Sequence, residues 1–486
     1  MKKLTNLIII LITFILLVGC NQPNDDNPVD NGIKPTHDFT VCNYLKDNAV
    51  FLQNKEFVIS GVSENGVLLK IDIYDQNGSL INTASDIADN NGEFSVKIVA
   101  PNGSYNKYKI VITDSVHTHE YNNILFGEVW MFAGEQLNEV VPASNEYNEY
   151  VRIFNYNNNE YSWTNFDNNS QAYAIAYKFA EELINKINVP VAIIDSTLPF
   201  GNADAWISHF TASNQLKINN YLQGINRYIP SVDNVVLKTN TLSSMNKTYL
   251  SELNGLSISG MIWQQGVTDF NVNSNSDIYK LINNYTYLTS NIFLDYINFF
   301  KGEIDIYSIQ NGFVNLEFAN ELRSAQEQAT YLVNNVQIIP TYDCHVLEEN
   351  LISADVNYVF SPNKFVNRIA QNVLEYTYQK QRETKYSMFT NAVINYNTIT
   401  LTFSNDIKLN KVDEIYGLNV KTSDGILLNY QFEIEENQII IELNDLIFNE
   451  DMELVISYAE NYDLYKCNLY NVYDYPVLPF RIEISD

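Results

Sequence analysis

The chain has 486 residues, enough for roughly three domains of ordinary size. It carries 58 acidic against 29 basic side chains, a net charge of −29, so phosphate backbones and anionic lipid surfaces are repelled and nucleic acid is excluded as a partner. Its 4 cysteines stand far apart with no CxxC spacing, which excludes a zinc ribbon or a dense disulfide framework.

The first element in chain order is a targeting segment. MKKLTNLIIILITFILLVGC sets Lys2 and Lys3 before a short apolar run that ends in Leu17, Val18, Gly19 and Cys20, the build of a bacterial lipoprotein signal. The expectation is a signal peptide over 1–19, lipid on Cys20, and an extracytoplasmic chain held at the cell membrane or cell surface by that anchor alone. An uncleaved membrane anchor is the other reading. Residues 20–38 are rich in Asn, Asp and Pro with almost no apolar content, so they bury no core and form a disordered tether. Of the three remaining cysteines, Cys42, Cys344 and Cys467, at most one pair can form.

From 39 to 120 the pattern alternates apolar and polar between turn signals. LLKIDIYDQNGSLINT contains Asn77-Gly78, a hairpin signal, and NGEFSVKIVAPNGSYNKYKIVIT repeats the texture, which predicts an N-terminal β-sandwich. From 121 to 384 it changes. SQAYAIAYKFAEELINKI, from Ser170, spaces its apolar residues as a helix with a serine at the cap position, and PVAIIDS then reads as a short buried strand. Helix followed by buried strand predicts a parallel α/β domain. From 385 to 486 NTITLTF, NQIIIEL and MELVISYA return to strand texture and predict a C-terminal β-sandwich. Aromatics make up 13% of the chain, with 34 tyrosines; strand formation accounts for them, or part of them is sugar-stacking surface.

Four blocks carry a further signal. GEVWMFAG (Gly127 to Gly134), AIAYKFAEELINKINVPVAIIDSTLPFGNADAW (Ala174 to Trp206), GMIWQQG (Gly260 to Gly266) and NLYNVYDYPVLPFR (Asn468 to Arg481) resemble, in order and spacing, the sialate O-acetylesterase family of SGNH hydrolases. The resemblance covers nearly all of the mature chain. It implies a flavodoxin-like three-layer α/β/α domain between two β modules. It also implies carboxylic ester hydrolysis at O-acetyl groups of sugars such as sialic acid, without a cofactor.

Inside those blocks the reactive residues are exchanged. GEVWMFAGEQLNE keeps the strand and small-residue turn that present a nucleophile, yet Gln136 stands at the family's serine, and an amide cannot attack an ester usefully. Pro199 and Phe200 stand at the glycine pair of the oxyanion hole, and proline has no N–H to give. WQQGVTD against the family's WYQGESN puts Asp269 where a neutral amide is expected; an ionised carboxylate there repels an oxyanion. NYVFSPNKFVNRIAQNVL puts Phe360 or Ser361 at the family's histidine, and neither shuttles a proton near neutral pH. Asp343 and His345 in PTYDCHV are either a catalytic remnant or an ordinary structural pair. His117 and His119 can share one strand face, but two imidazoles without a third ligand do not make a metal site, so no metal is expected.

The expectation is a surface lipoprotein on an esterase scaffold that has lost its nucleophile and base and binds a glycan, such as an acetylated sugar, or a partner protein. Trp130, Gln136, Asn138, Trp206, Gln265 and Asp269 are the candidate ligand contacts, with plain core packing as the other reading of Trp130, Trp206 and Trp263. The alternative is an active sialate or carbohydrate O-acetylesterase with a relocated catalytic group. A purely structural surface protein is a third class.

Overall fold

The computed structural model describes residues 28, 30, 32–136, 147–166, 174–270, 275–312, 318–347, 358–379, 386–409, 414–444, 453–460 and 464–484, without the side chains of 275, 276, 345–347, 358, 359 and 465. Cys20, Asn138, Ser170 and the side chain of His345 lie outside these described residues. Among them, no helix is long and apolar enough to cross a membrane.

Seven strands open the chain: β1 (Thr40–Val41), β2 (Val50–Leu52), β3 (Glu56–Val62), β4 (Leu68–Tyr74), β5 (Leu80–Ile87), β6 (Glu93–Val99) and β7 (Ser104–Thr113). Period-two patterning drives them: in β6 every second side chain of EFSVKIV is buried. β1, β3 and β6 form one sheet, while β4 pairs with β5 and β7 in another, so the apparent β6–β7 continuation joins two different sheets. The Asn77-Gly78 signal does join β4 to β5, through a loop in which the Asp75 carboxylate accepts from the backbone N–H groups of Asn77 and Ser79.

The next strand, β8 (Thr118–Glu135), is 18 residues long. Its first half pairs antiparallel with β7; its second half pairs parallel with two strands of the central sheet. The boundary expected at residue 120 therefore falls inside one continuous strand. Around it lie β9 (Val151–Asn157), β10 (Glu160–Asn165), β11 (Val191–Leu198), β12 (Gly260–Gln264), β13 (Asp305–Gln310) and β14 (Val336–Pro340), in the order β10-β9-β11-β8-β12-β13-β14. All neighbours in that row are parallel except β10 with β9. Helices α1 (Ala174–Ile187) and α8 (Pro362–Val373) pack into one core with Trp130 and Tyr307. A second core takes Trp206 and Trp263 with α2 (His209–Asn214), α3 (Leu216–Gly224), α4 (Ser244–Tyr249), α6 (Asn275–Phe299) and α7 (Ala319–Tyr331). The short α5 (Val267–Phe270) follows β12, and the ribbon β15 (His345–Leu347) and β16 (Tyr358–Phe360) precedes α8.

After α8 a π-helical turn, Leu374–Tyr378, leads to β17 (Phe389–Asn395), β18 (Thr398–Phe403), β19 (Ile407–Leu409), β20 (Leu418–Thr422), β21 (Tyr430–Glu435), β22 (Gln438–Leu443), β23 (Leu454–Tyr458), β24 (Leu469–Asn471) and β25 (Phe480–Ile484). They form antiparallel sheets β17-β18-β22-β21, β20-β23-β25 and β19-β24 over a shared core. That module is fastened to the central sheet: the Tyr342 hydroxyl donates to the Val477 carbonyl at 2.7 Å, and Tyr342 belongs to the module's core. Among the described residues Cys42, Cys344 and Cys467 form no disulfide.

Candidate active site

The strand order reverses beside β8: the chain leaves β8 toward β9 on one side and leaves its neighbour β12 toward β13 on the other, and such a switch point opens a crevice at the carboxyl ends of the strands. Those ends carry Glu135 and Gln136 from β8, the Leu198–Asn202 turn from β11, and Gln264 to Asp269 from β12. Gly134 makes the convergence possible: at φ 99° it sits so close to β12 that an added Cβ would lie 2.0 Å from the Gln264 carbonyl oxygen. The Gln136 N–H then donates to the Leu198 carbonyl at 3.2 Å, joining the first two motif blocks.

Asp269 organises the crevice. It is buried, and its carboxylate accepts from the Ala203 N–H at 3.1 Å, from Asn202 Nδ2 at 3.1 Å and from Gln265 Nε2 at 2.8 Å. Burial raises its pKa against those donors. Gln265 also donates to the Gly201 carbonyl at 2.7 Å, and its own carbonyl accepts from Gln326 Nε2 at 2.8 Å, so block three is tied to the turn of block two. Nearby, Arg227 Nε meets both carboxylate oxygens of Asp204 at 2.8 Å, and its Nη2 donates to Asn240 Oδ1 at 3.1 Å. Asn240 in turn donates to the Phe200 carbonyl at 2.9 Å.

Glu135 fills another role. Thr268 gives it both a backbone N–H, at 3.1 Å, and its hydroxyl, which places the carboxylate over the N-terminal end of α5. Burial raises the Glu135 pKa, with the Thr268 hydrogen bonds opposing. Behind Gln136 a cavity of about 30 Å³, room for one water, is lined by Glu135, Asp195, Thr197, Gln264 and Phe365 among others. Glu135, Asn202 and Asn240 were not visible as site residues in the sequence; the acid at the last position of a strand facing the start of a helix is the signal that marks Glu135.

The other expected positions fall as follows. Trp130 and Trp206 have no exposed surface. Trp130 Nε1 donates to the Tyr378 hydroxyl at 3.1 Å and Trp206 Nε1 to the Ser196 carbonyl at 2.9 Å, so both are core residues and the ligand-contact reading is corrected for them. Ser361 is the N-cap of α8, accepting from the Lys364 N–H, and Phe360 packs its ring 5.3 Å from that of Phe365. Asp343 is buried in an ion cluster, 2.7 Å from Arg368 Nη2 and 3.1 Å from Lys364 Nζ. His345 pairs with Phe360 in the β15–β16 ribbon. His117 and His119 have separate carboxylate partners, Asp114 and Asp38, each at 2.9 Å, and among the described residues no group of three ligands could hold a metal ion.

This arrangement is a crevice whose donors are directed at a carboxylate of the protein itself. The chain shares its fold with a carbohydrate acetylesterase from Xanthomonas citri. The likeness has a TM-score of 0.69 at 18% identity and covers 92% of this chain and 99% of that one. A carbohydrate esterase family 2 enzyme with a carbohydrate-binding domain from Corynascus thermopiles (Myceliophthora fergusii) aligns at a TM-score of 0.29 and 9% identity, over 70% of this chain and 99% of that one. An acetyl xylan esterase from the rumen bacterium Butyrivibrio proteoclasticus aligns at 0.27 and 11%, over 71% and 100%. These two likenesses are too slight to bear on the fold. No family model matches the sequence, and no curated protein matches it.

Proposed function

We propose that the protein is a lipid-anchored, extracytoplasmic relative of the SGNH carbohydrate O-acetylesterases that binds an acetylated glycan without hydrolysing it. The observation that carries the reading is the Asp269 carboxylate, which takes up the Ala203, Asn202 and Gln265 donors and brings negative charge to the place where an acyl-transfer oxyanion would form. Gln136 at the nucleophile position, and the structural duties of Phe360 and Ser361 at the base position, support the same conclusion. The net charge of −29 favours a neutral glycan over an anionic one such as sialic acid. Anchoring through Cys20 and the three-layer SGNH arrangement belong to this proposal.

The test is release of acetate from a chromogenic acetate ester and from an O-acetylated sugar by the full chain in detergent, alongside a glycan-binding assay. The expected result is acetate release equal to that of heat-killed protein, together with glycan binding. Turnover that disappears in a Thr268→Val variant would sink the non-catalytic reading and assign the reaction to the hydroxyl beside Glu135.

A further inference from the structure

The turn that leaves β11 runs Leu198-Pro199-Phe200-Gly201, closed by the Gly201 N–H donating to the Leu198 carbonyl at 3.3 Å. Pro199 suits the second position of such a turn because its ring presets a negative φ. Phe200, in the third position, has φ 54°, in the left-handed region where a Cβ is disfavoured and Gly or Asn ordinarily stands. Asn occupies that region at Asn48, Asn54, Asn123 and Asn158, and other side chains stand there too, among them Lys238, Lys301 and Tyr396 in turns. At the rim of the crevice the side chain is an aromatic ring, and that ring is 70% exposed, so packing does not account for it.

The surroundings hold the strained residue in place. Its own carbonyl accepts from Asn240 Nδ2 at 2.9 Å, and the next carbonyl, of Gly201, accepts from the buried amide of Gln265 at 2.7 Å. Asn240 Oδ1 also accepts from the Asn202 N–H at 2.9 Å and from Arg227 Nη2 at 3.1 Å. A residue kept in an unfavourable conformation by an over-determined frame, at the mouth of a crevice, is characteristic of a functional position.

We propose that Phe200 is a stacking platform for the apolar face of a neutral pyranose, positioned by the clamped turn beside Gln136 and the ends of β8 and β12. Aromatic faces accept sugar C–H groups through dispersion and electrostatics, and a preset platform binds without the cost of ordering a side chain on a mobile loop. The proposal rests on the glycan-binding reading above and names its ligand class and its contact. The exposure of the ring separates it from a packing role, and the clamped carbonyls of Phe200 and Gly201 fix where it stands.

The experiment uses the full chain in detergent, titrated calorimetrically with partly O-acetylated xylohexaose, and compares the wild type with Phe200→Gly and Phe200→Trp. Phe200→Gly removes ring and strain together, so its Kd should weaken about tenfold, in the range of a lost stacking contact, while Tm rises. Phe200→Trp should hold its Kd within about twofold at an unchanged Tm, as expected where one aromatic face replaces another. A Phe200→Gly protein that binds as the wild type does, or whose Tm falls, overturns the platform while leaving glycan binding intact. A wild type that binds no oligosaccharide overturns the glycan reading, and the platform with it.

Discussion

Asp343 shows how the surroundings of a side chain decide its chemistry. Burial pushes its pKa up, but Arg368 and then Lys364 more than offset that, and the carboxyl is held below its ordinary range. A depressed carboxylate contributes stability that is fully present above the unfolded value of about 3.9 and is lost as pH falls through the folded value. Urea unfolding of the wild type should therefore lose part of its stability in acid below about pH 4. Arg368→Met should cost about 3 kcal/mol at pH 7 by leaving the buried charge with Lys364 alone, and should recover part of that as the carboxyl protonates. If the variant loses stability on acidification as steeply as the wild type, the cluster does not set the Asp343 pKa. The motif blocks pointed to Gln136, Pro199, Phe200 and Asp269, and the structure sets all four at the carboxyl ends of β8, β11 and β12. What Asp269 touches was not legible: Gln265 is near in sequence, but Asn202 and Ala203 come from more than 60 positions away, and only the folded crevice brings them together.

Gly134 matters at the scale of elements, because it lets β8 and β12 reach their ends side by side. An alanine there would carry a Cβ 2.0 Å from the Gln264 carbonyl oxygen, against backbone that cannot yield cheaply, and would hold φ 99°. Gly134→Ala should destabilise the protein by about 3 kcal/mol or more, read as a lower urea midpoint with an unchanged m-value. A loss below about 0.5 kcal/mol would mean that the two strand ends part easily. The helix over Ala174–Ile187 and the strand over Val191–Leu198 were readable, since a 3.6-residue apolar period followed by a short apolar run leaves little choice. β17 and the ribbon β15–β16 were not. The outward side chains of β17 leave its alternation shallow, and three-residue strands carry too few residues for a period to register.

Across the whole molecule, the modules are joined by shared structure. Residues 386 and 387 already belong to the junction: the Ser387 carbonyl accepts from the Leu478 N–H at 2.9 Å, and Asn372 Nδ2 donates to the Tyr386 hydroxyl at 2.8 Å. Arg368 lies over the ring of Tyr475, and the Tyr475 hydroxyl meets Glu375 at 3.3 Å. Limited proteolysis under native conditions should therefore not release a folded fragment from about 385 to 486, since such release requires this buried junction to open. A clean fragment of that size at low protease would refute the fastening.

The length of β8 has a consequence for where the crevice stands. Its first residues lie beside Asp38, which His119 Nε2 meets at 2.9 Å, and its last residue, Glu135, lies at the crevice. Eighteen residues of strand measure roughly 60 Å at most, and from residue 125 on β8 has partners on both sides. With the proposed lipid on Cys20, the strand acts as a ruler: the crevice opens at the far end of the molecule from its root, at a nearly fixed height set by folded protein. In that setting the strand sets how far the crevice stands from the point where residue 38 enters the fold.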